Sequence, residues 1–300
     1  MVSSIKNTIL LFCVLSVQAL LAQEEAKPQS SALVVDQSIV SKSTNAEVRY
    51  YIYFPDGYEK DSTSLFPVIY WLHGSGGWPP GVLNMLANRF HLAIKDEKMP
   101  PAIIVFLDDG DGESMWVDSK DGTLKMESIV VQELIPYIDQ SFRTINHSRG
   151  RILEGGSMGG YGVARLGFKY PELFGAISML NPGPMQEVLN PNEAPLAGAA
   201  KAQKTLDRIY GGDIEYFRAL SPWQIAEKNA DKIRGNLVVR MILGGSDPSL
   251  PNNKRFSEHL EKLEIKHTIT ILEQAGHSPK EMFGALGDSY WDFFNRNLSN

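Results

Sequence analysis

Residues 151–170 read RILEGGSMGGYGVARLGFKY. The first four form a short β-type run, and the last ten favour a helix. Between them Gly155-Gly156-Ser157-Met158-Gly159 fits the pattern G-x-S-x-G. A strand that turns sharply into a helix strains the backbone at its central serine, so only glycine fits on either side without a clash. The serine hydroxyl then stands at the carboxyl edge of a sheet and at the positive end of a helix, where developing negative charge is stabilised. Five residues alone would also describe a glycine-rich turn with an incidental serine. The strand before and the helix after favour a nucleophile at Ser157.

The flanking sequence repeats the same alternation. Leu33 to Val40 and Val48 to Phe54 are rich in β-formers, and VRYYIYF is the stronger signal. Pro67 to Leu72 (PVIYWL) and Ala102 to Leu107 (AIIVFL) are continuous apolar runs, as in strands buried on both faces of a parallel sheet. Helical spacing appears over Val82 to Lys95 and Met126 to Ile138. Further strands are expected at Gly175–Leu180, Leu237–Leu243 and His267–Leu272, with helices over Met158–Tyr170 and near Asn253–Leu263, and a closing helix containing Met282 to Phe294. Repeated βα units imply a doubly wound, mostly parallel α/β sheet. The stretch from Asn181 to Ala230 breaks the rhythm with prolines, alanines and the aromatics Tyr216, Phe217 and Trp223. It reads as an inserted, cap-like segment over the serine.

A serine hydroxyl is a poor nucleophile until a base takes its proton. Strand–turn–serine–helix architectures carry their acid and then their histidine later in the chain. Of six histidines, His277 fits: it follows the run ending at Leu272, in the loop Gln274-Ala275-Gly276-His277-Ser278-Pro279 before the last helix. His91 and His259 sit among helical residues, His147 in a polar loop and His267 near a strand start. No histidine pair shows metal-ligand spacing, so no metal or other cofactor is expected. Asp247 meets the requirement for an acid that orients the imidazole, in the loop Gly244-Gly245-Ser246-Asp247-Pro248 after a buried strand. Asp213 and Asp231 compete from helical or inserted segments, and Glu273 lies too close to its strand end.

The oxyanion of an acyl intermediate needs two donors, of which Met158 N–H, next to the nucleophile, is one. The loop His73-Gly74-Ser75-Gly76-Gly77 supplies the other, assigned to Ser75 N–H, and His73 is read as fixing that loop. Asp108-Asp109-Gly110-Asp111-Gly112-Glu113 lacks the sixth-position glycine and distal glutamate of a calcium loop, and so reads as a strand-end loop. Trp78, Trp116 and Trp223 are candidate substrate contacts at the carboxyl edge. For Trp223, beside Pro222, core packing is an equal reading.

The 300 residues, 43% apolar and 21% charged, suffice for one sizeable core. The net charge of −6, with no Lys/Arg cluster to offset it, argues against a nucleic-acid partner. Lys6 followed by the apolar run from Ile9 and the small residues Ala19 and Ala22 has the layout of a signal peptide. The expected organisation is a signal peptide over 1–22, with Ala19 an alternative cleavage point, a leader over 23–31 and a domain over 32–300. The run is interrupted by Ser16 and Gln18 and falls short of the roughly 20 residues of a spanning helix, so no stable membrane anchor is expected after cleavage. Cys13 is the only cysteine and falls in the removed segment, which leaves no disulfide and no thiol nucleophile. Export places the protein outside the cell or in the periplasm.

YWLHGSGGW, the stretch from Asp109 through Trp116 and Asp118 to Glu127, QELIPYIDQSFRT, GGSMGGYG followed by YPELF, and the GGSDP and AGHS loops resemble one family. It is the esterase group of α/β-hydrolases that includes feruloyl and acetyl-xylan esterases, S-formylglutathione hydrolases and mycolyltransferase-like proteins. The resemblance runs from about Val48 to Phe294 and implies carboxylic-ester substrates and a triad of Ser157, Asp247 and His277. Glu154 departs from the small or apolar residue usual before that glycine pair, and calls for an internal partner. The resulting expectation is an exported serine esterase acting on small-molecule esters or on acyl or feruloyl esters of polysaccharides. Acyl transfer to a sugar hydroxyl and a non-catalytic carbohydrate-binding relative are the alternatives, and the intact triad speaks against the second.

Overall fold

The computed structural model describes residues 33–298, so the expected signal peptide and leader lie outside the described residues. Its strands are β1 (Val35–Val40), β2 (Glu47–Tyr53), β3 (Val68–Leu72), β4 (Ile103–Leu107), β5 (Arg151–Gly156), β6 (Ala176–Leu180), β7 (Val238–Gly244) and β8 (His267–Leu272). They form one sheet in the order β1-β2-β4-β3-β5-β6-β7-β8. β2 pairs antiparallel with β1 and β4, and every pairing from β4 to β8 is parallel. The mostly parallel α/β sheet expected from the sequence is therefore present.

The continuous apolar runs are explained by the two-residue period of a strand, which sends neighbouring side chains to opposite faces. Val68, Tyr70 and Leu72 enter one core, together with Tyr161 and Phe168 of α4 (Met158–Lys169) and Phe256 of α8 (Leu250–Lys262). Ile69 and Trp71 enter the other, against α1 (Pro80–Lys95), α9 (Pro279–Ala285) and α10 (Ser289–Leu298). Helices on both faces bury the sheet completely at its centre.

Two expected helices are broken. The stretch from Met126 divides into α2 (Met126–Ser128), a π-helical segment Ile129–Leu134, and α3 (Ile135–Ser141). Pro136, which has no amide to donate to Gln132, stands where the wide turn gives way to α3. The closing helix divides into α9 and α10 around Leu286-Gly287-Asp288, and Tyr290 N and Trp291 N bond back to the Gly287 and Asp288 carbonyls. The inserted segment between β6 and β7 is itself helical: α5 (Ala199–Tyr210), α6 (Ile214–Leu220) and α7 (Pro222–Ile233). Gly211 ends α5 in the left-handed conformation, Asp213 caps α6 and Ser221 caps α7.

Glu154 has the internal partners its position requires. Trp71, Glu154, Ser178 and Arg240 stand in register across β3, β5, β6 and β7. The fully buried Glu154 carboxylate accepts from Trp71 Nε1 (3.2 Å), Ser178 Oγ (2.8 Å), Arg240 (3.2 Å) and Tyr290 Oη (2.8 Å). Burial pushes this carboxyl above its usual value against the pull of those donors. Arg240 also lies over the Phe293 ring at 3.9 Å, which ties the row to α10.

β3 and α4 approach unusually closely. A Cβ on Gly159 would lie 2.0 Å from the Leu72 carbonyl oxygen, and one on Gly155 2.7 Å from the same atom. Both obstacles are backbone, which cannot rotate away. Gly159→Ala is expected to lower the unfolding free energy by about 3 kcal/mol in urea denaturation, because α4 must shift off β3. A loss below about 1 kcal/mol would contradict this packing.

Candidate active site

β4 lies on one side of β3 and β5 on the other, so the winding of the sheet reverses between β3 and β5. Loops leaving the carboxyl ends of strands diverge at such a point and open a crevice. The loop after β3 (73–77) and the turn after β5 meet there. Ser157 occupies that turn with φ +57° and ψ −122°, a conformation rare for a residue with a side chain. Its amide is held by the Leu180 carbonyl at 2.9 Å.

Ser157 Oγ lies 2.7 Å from His277 Nε2, and His277 Nδ1 lies 2.7 Å from Asp247 Oδ2. The second Asp247 oxygen accepts from Ser249 N and Ser249 Oγ, both at 2.7 Å. Burial pushes the Asp247 carboxyl up, but donors from His277 and Ser249 outweigh it and hold the group below the usual carboxylate range. An ionised acceptor at Nδ1 leaves Nε2 free to take the serine proton. The competing acids are engaged elsewhere: Asp213 pairs with Lys120 at 2.5 Å, and Asp231 pairs with Arg234 at the surface.

Asn181, which the sequence reading passed over, aligns these loops. Its Nδ2 donates to the Gly276 carbonyl (2.8 Å), and its Oδ1 accepts from Gly244 N (2.6 Å). The loops bearing Asp247 and His277 are thereby pinned to the end of β6. The available signal was a polar residue directly after a buried strand, in the run Asn181-Pro182-Gly183-Pro184.

The loop after β3 passes so near the serine that a Cβ on Gly74 would sit 3.1 Å from Ser157 Cβ. Gly76 N and Gly77 N are taken by the carbonyls of Gly112 and Gly74, at 2.8 and 3.3 Å. Ser75 N has no acceptor among the described residues, and Met158 N is in the first turn of α4, where amides lack an intrahelical partner. His73 does not reach the serine; its Nδ1 bonds the Gly74 carbonyl at 2.8 Å and its Nε2 lies 3.2 Å from Asp109 Oδ1. Asp109 in turn accepts from Gly112 N (2.7 Å) and Ser114 N (2.9 Å). Burial works against its charge, yet His73 and Ser114 keep the Asp109 carboxyl below its usual value. The donor atoms of His73, Asp108 and Asp109 cluster within 4.8 Å, the arrangement of a candidate cation site. The ring nitrogens and both Asp109 oxygens are already engaged in shaping the loop.

Two cavities flank Ser157. One of about 350 Å³ is lined by Trp71, Trp78, Leu180, His277, Met282 and Phe283. Another of about 80 Å³ is lined by Met115, Met158, Leu189, Tyr210 and Phe217. Ser75, Leu196, Ala197 and Lys201 border both, so the inserted segment does contribute to the site. Trp78 is the one expected tryptophan in the cleft, and it packs on Trp71 with ring centres 4.5 Å apart.

Trp116 corrects the sequence reading, and Trp223 takes the core-packing alternative that its sequence equally offered. Trp116 has no exposed surface; its Nε1 donates to the His73 carbonyl at 3.3 Å, and a Cβ on Gly162 of α4 would strike its side chain at 2.6 Å. It wedges the loop after β3 from behind. Trp223 packs against Phe256 and His259, away from both cavities. Trp71 and Phe283 were missed because their chain neighbours read as core strand and core helix.

The family model described as "Putative esterase" matches residues 41–282. An endo-1,4-beta-xylanase/feruloyl esterase of Xylanibacter ruminicola is 30% identical over 157 residues, 48% of this chain and 20% of that protein. An esterase of Mycobacterium tuberculosis is 32% identical over 132 residues, 42% of this chain and 27% of that protein. The matched stretches thus span about a fifth to a quarter of these relatives' lengths. Among solved structures, a ferulic acid esterase superposes with a TM-score of 0.73 at 21% identity, covering 89% of this chain and 98% of that one. An S-formylglutathione hydrolase from Agrobacterium tumefaciens gives 0.65 at 18% identity, covering 90% and 98%. These two likenesses establish the fold.

Behind the site, the fully buried Arg165 of α4 donates to the Trp116 carbonyl (2.8 Å), the Leu220 carbonyl (2.5 Å) and Glu127 (2.9 Å). Burial opposes the Glu127 charge, but Arg165 and Lys169 hold its carboxyl down at about 2, against a usual value of 4.5. A carboxyl lowered by folding stabilises the protein above its unfolded value, and loses that contribution as the pH falls through its folded one. Glu127→Gln is expected to cost about 3 kcal/mol at neutral pH, the equivalent of that lowering. The gap from the parent protein should close as the pH drops from 4.5 towards 2. Urea titrations across that range check this, and a gap that does not change with pH contradicts it.

Proposed function

The chain belongs to the "Putative esterase" family and has the α/β-hydrolase fold, and from that premise we propose that it hydrolyses carboxylic esters through Ser157, His277 and Asp247. The observation that carries the reading is the continuous pair of 2.7 Å hydrogen bonds from Ser157 Oγ through the imidazole to Asp247. It ends beside two backbone amides, Ser75 and Met158, that are free to meet an oxyanion.

In this mechanism Ser157 Oγ attacks the ester carbonyl while His277 Nε2 takes its proton. The carbonyl oxygen becomes the oxyanion and accepts from Ser75 N–H and Met158 N–H. Asp247 keeps the imidazole in the tautomer that accepts at Nε2 and stabilises the cation that forms. Collapse of the intermediate expels the alcohol, which takes the proton from His277, and leaves an acyl-serine. Water, deprotonated by the same histidine, then attacks the acyl carbon; the acyl–Oγ bond breaks, Ser157 Oγ takes the proton back from His277, and the carboxylic acid leaves.

The substrate is proposed to be an acyl or feruloyl ester on a polysaccharide met after export. The cleft walled by Trp71, Trp78 and Phe283 supports this reading, because aromatic planes stack on flat acyl groups and sugar faces for about 0.5 to 1.5 kcal/mol beyond burial. The relative named as a xylanase/feruloyl esterase and the signal-like segment over 1–22 agree with it.

Ser157→Ala is expected to lower ester turnover by about 10⁴-fold or more with the fold intact, since only binding and the oxyanion donors remain. Asp247→Asn should cost roughly 10³- to 10⁴-fold in kcat, because the imidazole then adopts the wrong tautomer. Asp213→Asn and Asp231→Asn serve as controls; a large loss at either would contradict the assignment. Measured kcat/KM values should rank methyl ferulate above p-nitrophenyl laurate relative to acetate. A preference for laurate would replace the polysaccharide reading with a lipid one.

A further inference from the structure

Among the described residues bordering either cavity, only Lys201 carries a permanent charge. It projects from the first turn of α5 and borders both spaces together with Ser75 and Ser157. The remaining walls are apolar, aromatic or uncharged. A cationic side chain that borders two such cavities, both also lined by Ser157, can discriminate between esters that differ in charge.

The neighbouring acids engage this charge only at long range. Lys201 Nζ is 3.9 Å from Glu113, the far limit of an ion pair. Glu113 is met more closely by Lys204 at 3.2 Å and Arg208 at 3.6 Å, and Asp111 is taken by Arg208. Three cations of α5 thus face two carboxylates, and the surplus charge falls to the member with the longest contact. Lys201 is also partly exposed, with 42% of its side chain accessible, and its four-carbon stem can swing the ammonium over either cavity.

We propose that Lys201 is a specificity-determining residue that selects esters bearing a carboxylate close to the ester linkage, on the acyl or the alcohol side. The inference rests on the esterase reading and deepens it by naming the charge class of the substrate. An uncharged ester of the same shape binds the same walls but leaves the ammonium to water and to Glu113. The discrimination follows from one partly exposed ion pair, so it amounts to about threefold to tenfold and weakens as salt rises.

The test uses two matched pairs of esters with the parent protein, Lys201→Gln and Lys201→Glu. On the alcohol side the pair is 4-acetoxybenzoate against 4-acetoxybenzamide; on the acyl side it is p-nitrophenyl hemisuccinate against p-nitrophenyl pentanoate. The readout is the ratio of kcat/KM for the charged ester over its neutral partner, which cancels any difference in folded fraction. Lys201→Gln should lower this ratio about threefold to tenfold for one pair, which identifies the side that carries the carboxylate, and Lys201→Glu should lower it further. Added salt should bring the parent ratio towards that of Lys201→Gln. Ratios that stay within about twofold of the parent for both pairs overturn the inference while leaving the esterase reading intact. Failure to turn over any of the four esters overturns both.

Discussion

The Leu72 carbonyl and the backbone of Gly155 and Gly159 are in contact, and no side chain separates them. This close approach of β3 to the start of α4 leaves no room for a gradual transition from strand to helix. The chain must reverse within one residue, and Ser157 takes the positive φ that such a reversal requires. The same approach brings Gly74, and with it the Ser75 amide, against the serine. The proposed nucleophile and the loop proposed to carry an oxyanion donor are therefore set by one packing constraint, at the point where the sheet reverses its winding.

Buried charged groups surround that point, each with hydrogen-bonded partners. On one face Glu154 joins four strands and α10 through Trp71, Ser178, Arg240 and Tyr290. On the other, Arg165 fastens α4 to the Trp116 loop and to the end of α6, while Asp109 and His73 fix the turn that presents Ser75. Replacing such clusters with apolar side chains can leave stability unchanged or raise it, so their presence points to a demand for position. Each contacts a segment that carries a donor or a wall of the proposed site. A shift of about 1 Å in those segments would be enough to degrade the chemistry.

The sequence disclosed the residues of the proposed site where local chemistry and chain order coincide. Ser157 is marked by glycines whose spacing answers a steric need, and Asp247 and His277 follow buried strands in short polar loops. What stayed hidden depends on distant packing. Trp116 and Trp223 follow turn-like residues as surface aromatics do, yet α4 and α8 cover them. Trp71 looks like any inward strand residue and is buried like one, and only the divergence of loops at the switch point makes it part of the cleft wall. In α5, Ala202, Leu206, Ile209 and Tyr210 do lie at helical spacing, but the surrounding prolines and glycines obscured the period. Asn181 and Lys201 matter through partners far away in the chain, which a single sequence does not pair.

The central claim is that Ser157 becomes covalently acylated through the base at His277. The most direct measurement is intact-protein and peptide mass spectrometry after brief exposure to a fluorophosphonate, with a Ser157→Ala protein in parallel. The account predicts one adduct per chain, on the peptide that contains Ser157, and none on the variant. An adduct on another residue, or equal labelling of both proteins, would contradict it.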